Sequence, residues 1–251
     1  MKMQTVGFLI IGNEILSGRT TEKNLSVLAA LLAPKGLRVD EVRVVRDVPT
    51  VIAKALQEMQ ITHNYVLTSG GIGPTHDDVT TYGVALAFNT EVIENLEALA
   101  LLEAFYDGRG LEFTTMRRRM AQAPRGATPL KSEFPGAPGY RIENVFVCAG
   151  VPAIFKQMAT AAALQLPDLP PRRSLSLRVM GPESEFAEQL EAVQAQWPSL
   201  EIGSYPRDDD GVLYCHLVFG GVDEKAIRSA AAKMTEYLRC EMSFEVTEIG
   251  N

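Results

Sequence analysis

Apolar residues in the first two thirds of the chain arrive by turns as short runs and at helical spacing. Val6–Ile11 is an unbroken apolar run ending at Gly12, the pattern of a buried strand. Leu25, Leu28 and Leu32 then recur at helical intervals until Pro34 and Gly36 stop the helix. Val39–Val45 predicts a second strand, and Asp47, Pro49 and Thr50 open a helix carrying Val51, Ala55 and Leu56. Tyr65–Thr68 predicts a third strand that runs into a glycine-rich loop, followed by a helix over about 78–88. Further helices are predicted over 95–106 and 114–122. After the breaker-rich segment 134–139, Val145–Val147 reads as the last buried strand of this part, ahead of a helix from Pro152 to Gln165. Alternation of this kind predicts an α/β fold: a mainly parallel sheet covered by helices on both faces, in three αβα layers.

The proline-dense stretch 166–171 lacks periodicity and reads as a linker. Beyond it the pattern restarts as β-α-β-β-α. Leu175, Leu177 and Val179 alternate with more polar residues, and Phe186, Leu190, Val193 and Trp197 share one helix face. Ile202–Tyr205 and Val212–Phe219 flank the acidic turn 208–211, a hairpin signal, and Ile227, Ala230, Met234 and Leu238 line a last helix. The expected organisation is a first domain over 1–166, a linker over 167–173, and a smaller α+β domain over 174–251.

Bulk properties narrow the function. A hydrophobic fraction of 46% supports a real core, and a net charge of -7 argues against a broad basic face for nucleic acid or an anionic membrane. The three cysteines show no metal-ligand spacing, so reduced thiols and a cytoplasmic location are expected. The N-terminal apolar run is too short for a signal-peptide core or a bilayer span.

The strongest chemical signal is Thr68-Ser69-Gly70-Gly71-Ile72-Gly73-Pro74-Thr75-His76-Asp77-Asp78-Val79-Thr80. It lies at the carboxyl end of a strand, where open α/β sheets bind ligands. Glycines let the backbone approach a ligand, and free N–H groups favour an anion. Thr75 and Asp78 have the spacing of a helix-capping box, which explains Asp78 but not Asp77. Two carboxylates beside a phosphate repel it unless a divalent cation bridges them, so Asp77 and Asp78 are candidate Mg²⁺ ligands. Glu14, after the first strand, belongs to the same sheet end. His63, His216 and Cys148 read as structural and Arg117-Arg118-Arg119 as a solvated cluster, while His76 fits an acid or base and a solvent-facing helix N-terminus about equally.

The glycine loop and its aspartates resemble the signature of the molybdopterin-binding domain family. The similarity is to its competence/damage-inducible protein A branch and to the N-terminal domain of eukaryotic FAD synthase. Gly12-Asn13-Glu14-Ile15-Leu16 with Gly18 resembles the first family motif, Asn24 the asparagine on the following helix, and Asp47 the aspartate after the second strand. Ala137-Pro138-Gly139 and Gly150-Val151-Pro152 resemble the two later loops, although the segment 132–136 departs from the family's Asn and Gly-Thr pattern. From about Ser174 the chain resembles the small KH-like domain of that branch, without the Gly-x-x-Gly loop that binds RNA. The amidase domain of longer members has no counterpart in this sequence, so deamidation is not expected.

The resemblance implies a ligand site of Gly12, Asn24, Asp47, Ser69, Gly70, Gly71, Gly73, Pro74, Thr75, Thr80, Pro138, Gly139, Gly150 and Pro152, with Asp77, Asp78 and Glu14 as the catalytic group. It implies a metal-dependent pyrophosphatase acting on a nucleotide such as ADP-ribose or FAD. The same loop also serves binding or adenylylation of molybdopterin in molybdenum-cofactor synthesis, and a non-catalytic ligand-binding protein fits it too. Expected partners are a nucleotide or pterin, not nucleic acid or membrane, and a homo-oligomer.

Overall fold

The computed structural model describes residues 4–132, 136 and 138–249. Contacts divide the chain into two compact units, Met1–Leu169 and Pro170–Asn251.

The first unit runs β1 (Val6–Ile11), α1 (Asn13–Leu16), α2 (Asn24–Leu32), β2 (Val39–Val45), α3 (Pro49–Thr62), β3 (Tyr65–Ser69) and α4 (Thr80–Ala87). It continues through β4 (Val92–Glu94), α5 (Leu96–Asp107), α6 (Thr115–Arg118), β5 (Gln122–Pro124), β6 (Thr128–Pro129), β7 (Tyr140–Ile142), β8 (Val145–Cys148) and α7 (Pro152–Ala163). Its main sheet has the order β2-β1-β3-β8-β7-β6. The first four strands are parallel, and β7 and β6 add on antiparallel. Because successive strand residues face opposite ways, β1 feeds two cores. Phe8 and Ile10 join Leu28, Leu32, Phe146 and Phe155 on the α2/α7 face. Leu9 and Ile11 join Ile52, Leu56, Met59 and Val84 on the α3/α4 face. Helices on both faces make the mainly parallel three-layer α/β fold.

Several local expectations are corrected. The helix expected over 114–122 is one turn, α6, followed by a 3-10 turn Arg119–Ala121. The chain then extends because β5 pairs with β4, which removes it from a helix. β4, β5, β6 and β7 are additions to the expected strands, each too short to show a period. The segment 134–139 lies partly outside the described residues.

The second unit runs β9 (Arg173–Met180), α8 (Ala187–Gln196), β10 (Glu201–Asp209), β11 (Val212–Gly221), α9 (Glu224–Glu236) and β12 (Val246–Ile249). Its antiparallel sheet has the order β10-β11-β9-β12 and is not continuous with the first sheet. The terminal strand β12 goes beyond the expected β-α-β-β-α pattern, and β9 begins within the expected linker. Phe186, Val193, Leu217, Phe219, Ile227, Met234 and Leu238 form this unit's own core. Among the described residues no helix is long and apolar enough to cross a membrane.

Candidate functional site

The loop after β3 is held from both sides. Gly70 has φ +109, and a Cβ there would sit 2.1 Å from the Ile11 carbonyl oxygen. Gly71 has φ +68, and its Cβ would sit 2.2 Å from Thr80 Oγ1. Both conformations favour glycine, and both approaches exclude a side chain. Thr80, the first residue of α4, closes the loop: its N–H donates to Gly71 O at 3.0 Å and its hydroxyl to Gly70 O at 2.9 Å. The helix therefore starts at Thr80 rather than about 78, and Thr75 is not its N-cap.

Residues 75–78 instead form a separate turn, closed by Asp78 N–H on Thr75 O at 3.3 Å. Asp78 Oδ2 accepts from the Thr75 N–H at 2.8 Å and hydroxyl at 2.6 Å. The carboxylate half of a capping box is thus made without the helix. Contact with the Thr75 hydroxyl, and after it the local backbone N–H, holds the Asp77 carboxyl below its usual range. Asp77 is exposed and ionised near neutral pH.

Asn24 braces the neighbouring strand ends. Glu22 caps α2 by accepting from Asn24 N–H at 2.6 Å and Leu25 N–H at 3.1 Å. Buried Asn24 then donates through Nδ2 to Ser69 Oγ at 2.7 Å and to Gly150 O at 2.8 Å. Asn24→Ala removes both bonds and leaves the buried Ser69 hydroxyl without this donor, so it is expected to cost about 1–3 kcal/mol of stability. Chemical denaturation checks this, and an unchanged midpoint would refute the brace. Asp47 acts similarly after β2, accepting the Asn13 N–H at 2.7 Å and fixing the turn into α1.

These supports enclose a cavity of about 550 Å³ at the carboxyl ends of the parallel strands. Glu14, Asp47, Gly70, Gly71, Gly73, Pro74, Asp77, Asp78 and Gly150 line it together. The other expected ligand residues do not line it. Asn24, Ser69 and Thr80 form the bracing bonds described above, and Thr75 holds Asp78. Gly12 lies beneath Glu14, where a Cβ would meet the carboxylate at 2.5 Å. Gly139 packs against the Val147 carbonyl, Pro138 lies in a small adjoining cleft, and Pro152 opens α7. Ile72 and Val151 of the two expected loops also line it, and residues that were not anticipated, Ile11, Phe105, Tyr106, Met120 and Ile154, give the cavity an apolar, partly aromatic side. Tyr106 and Met120 belong to a local cluster with Ala98, Leu102 and Ala121.

No lysine or arginine is among the described lining residues. The three consecutive arginines separate. Arg118 makes a bidentate pair with Glu94, and Arg117 lies over the Tyr106 ring. Arg119 is half-buried in the adjoining cleft with Gly73, Asp78 and Tyr140. No three His, Cys, Asp or Glu side chains among the described residues stand close enough to hold a metal by themselves. His63 is buried against Met59 O and Thr62, His216 lies beside Tyr214, and His76 is exposed. Burial pushes the Cys148 thiol up to about 12, which makes it inert as a nucleophile near neutral pH.

Residues 7–170 match the family described as "probable molybdopterin binding domain". The chain belongs to that family. Residues 171–246 match the family described as "FAD synthase, middle domain". A protein of Archaeoglobus fulgidus is 30% identical over 233 residues, spanning 92% of this chain and 97% of its own. A CinA-like protein of Desulforapulum autotrophicum is also 30% identical, over 79% of this chain and 50% of that one. The crystal structure of "the protein CinA with unknown function" from Thermoplasma acidophilum superposes with a TM-score of 0.59 at 28% identity. That match covers 66% of this chain and 99% of the other.

Proposed function

We propose that the first unit binds a diphosphate-bearing nucleotide and hydrolyses its diphosphate linkage with the help of a divalent cation. One observation carries this reading: glycine-loop backbone, four carboxylates and an aromatic wall share a single cavity. Such a cavity suits a ligand with a phosphate group at one end and a planar ring at the other. ADP-ribose and FAD have that form.

The carboxylates support a role for a metal. Glu14, Asp47, Asp77 and Asp78 offer hard oxygen donors but no complete ligand set. Mg²⁺ commonly takes one or two carboxylates and completes its shell with substrate phosphate and water. In this reading Asp77 and Asp78 would hold the ion, which would supply charge neutralisation and help activate water. The glycine loop presents backbone to the diphosphate, Glu14 and Asp47 flank it, and Phe105 and Tyr106 receive the ring.

The family's description supports a second reading, in which the ligand is molybdopterin; adenylylation of that ligand is the activity the second reading adds. A turnover screen with the full chain separates the two. Mg²⁺-dependent release of AMP from ADP-ribose or FAD is the expected result. Adenylylated pterin and pyrophosphate from molybdopterin plus ATP would select the second reading. Saturable binding without turnover of any of these would leave a ligand-binding protein.

A further inference from the structure

Of the three consecutive arginines, two are satisfied within the fold and one is not. Arg118 pairs with Glu94, while Arg117 covers the Tyr106 ring and donates to the Glu112 carbonyl. Arg119 is half-buried, and among the described residues its guanidinium has no ion pair, hydrogen bond or ring contact. Drawing a charge out of water costs free energy unless a partner replaces the water. The polar side chains around Arg119 do not supply one, because they are engaged elsewhere. Tyr82 donates to Gln122 Oε1 at 3.1 Å, Tyr140 donates to Thr81 Oγ1 at 3.2 Å, and Asp78 Oδ2 accepts from Thr75. The guanidinium keeps its donors free for a ligand.

The backbone that carries Arg119 is fixed. It opens the 3-10 turn Arg119–Ala121, in which Met120 and Ala121 are buried beside Tyr106. Ala121 O accepts the Asn95 N–H at 2.9 Å, and the turn leads directly into β5, which is paired with β4. Only the side chain is left free to move. The cleft it lines has a volume of about 10 Å³, room for no more than a water. That cleft shares Ile72, Gly73, Asp78 and Met120 with the 550 Å³ cavity. Arg119 thus borders the glycine loop and Asp78, and any ligand it meets sits in the larger cavity.

Charge sets the class of that ligand. Four carboxylates line the cavity, and a diphosphate adds further negative charge. One divalent cation does not balance them, and no cationic side chain stands on the described lining. We propose that Arg119 supplies the missing cation: its guanidinium turns from the cleft to the Asp78 side of the cavity and donates to the diphosphate. The planar fork of an arginine meets two phosphate oxygens at once, a geometry that a lysine does not offer. The identity of the whole ligand rests on the proposed function, whereas the call for a phosphate rests on Arg119 and the charge around it.

The test titrates the full chain with inorganic pyrophosphate and Mg²⁺ and follows affinity by calorimetry, so that Arg119 is read without turnover. Arg119→Met keeps the apolar stem and removes the guanidinium. It should fold as the wild type does and bind pyrophosphate roughly 10- to 100-fold more weakly. Arg118→Met removes the same charge from the pair with Glu94 and should leave affinity within about threefold of the wild type. In the wild type, pyrophosphate should shield Arg119 from modification by phenylglyoxal, mapped by peptide mass. That measurement decides if Arg119→Met fails to fold. Unchanged affinity in Arg119→Met overturns the proposal, and so does an equal loss in Arg118→Met. Equal modification of Arg119 with and without pyrophosphate overturns it too, as does a wild type that binds no pyrophosphate. Turnover of ADP-ribose and FAD reads the proposed function separately. A wild type that holds pyrophosphate through Arg119 but leaves both nucleotides intact supports the arginine's role and removes the hydrolysis.

Discussion

Gly70→Ala is expected to lose about 3–5 kcal/mol of folding stability, whereas Gly126→Ala loses about 1–2 kcal/mol. Both glycines have positive φ, +109 and +90, so an added side chain strains both backbones. Only the space around them differs. A Cβ at Gly126 meets nothing within 4 Å, while at Gly70 it lies 2.1 Å from the Ile11 carbonyl oxygen. That oxygen ends a central strand buried on both faces and cannot move without disturbing β1. Gly150 adds to the confinement, because its own Cβ would lie 3.2 Å from Gly70 Cα. The pair of variants thus separates conformational strain from steric overlap. Denaturant unfolding gives both numbers, and equal losses would show that the contact with β1 has no special weight.

The sequence and the fold agree where one element has enough length to express a period. β1 shows this: its unbroken apolar run reads as a strand buried on both faces, and Phe8 and Leu9 do enter opposite cores. α7, opening at Pro152, shows the same for a helix. The two-residue β6 and three-residue β7 carry no period, so their antiparallel addition to a parallel sheet is invisible until β8 is in place. Arg119–Ala121 has helical composition but yields to the pairing of β5 with β4. At the site, the glycine loop is legible because glycine and aspartate have few other reasons to be clustered after a strand. The aromatic wall is not. Phe105 and Tyr106 look like any apolar pair near a helix end, and only the path of α5 brings them to the glycine loop. Bracing is equally hidden, since nothing in the sequence ties Asn24 to Gly150 across 126 positions.

The largest effect on activity is expected from the paired carboxylates and rests on the proposed function. Asp78→Asn keeps an acceptor for the Thr75 N–H and hydroxyl, so the turn at 75–78 should persist and stability should fall by less than about 1 kcal/mol. Asp77→Asn is also expected to leave the fold intact, because Asp77 is exposed and its contacts lie within the same short turn. Each change nevertheless removes one negative charge from a cavity whose described lining has no cationic side chain. If these carboxylates hold a divalent ion against a diphosphate, each variant should lose roughly 100-fold in turnover and need more Mg²⁺ for half-maximal rate. A purely electrostatic view predicts the opposite: removing negative charge should strengthen the binding of an anionic ligand. Titrating Mg²⁺ against turnover for both variants, with thermal midpoints alongside, distinguishes these outcomes. Wild-type metal dependence in both would exclude Asp77 and Asp78 as metal ligands. Tighter ligand binding without metal would point instead to a site in which backbone donors alone meet the phosphate.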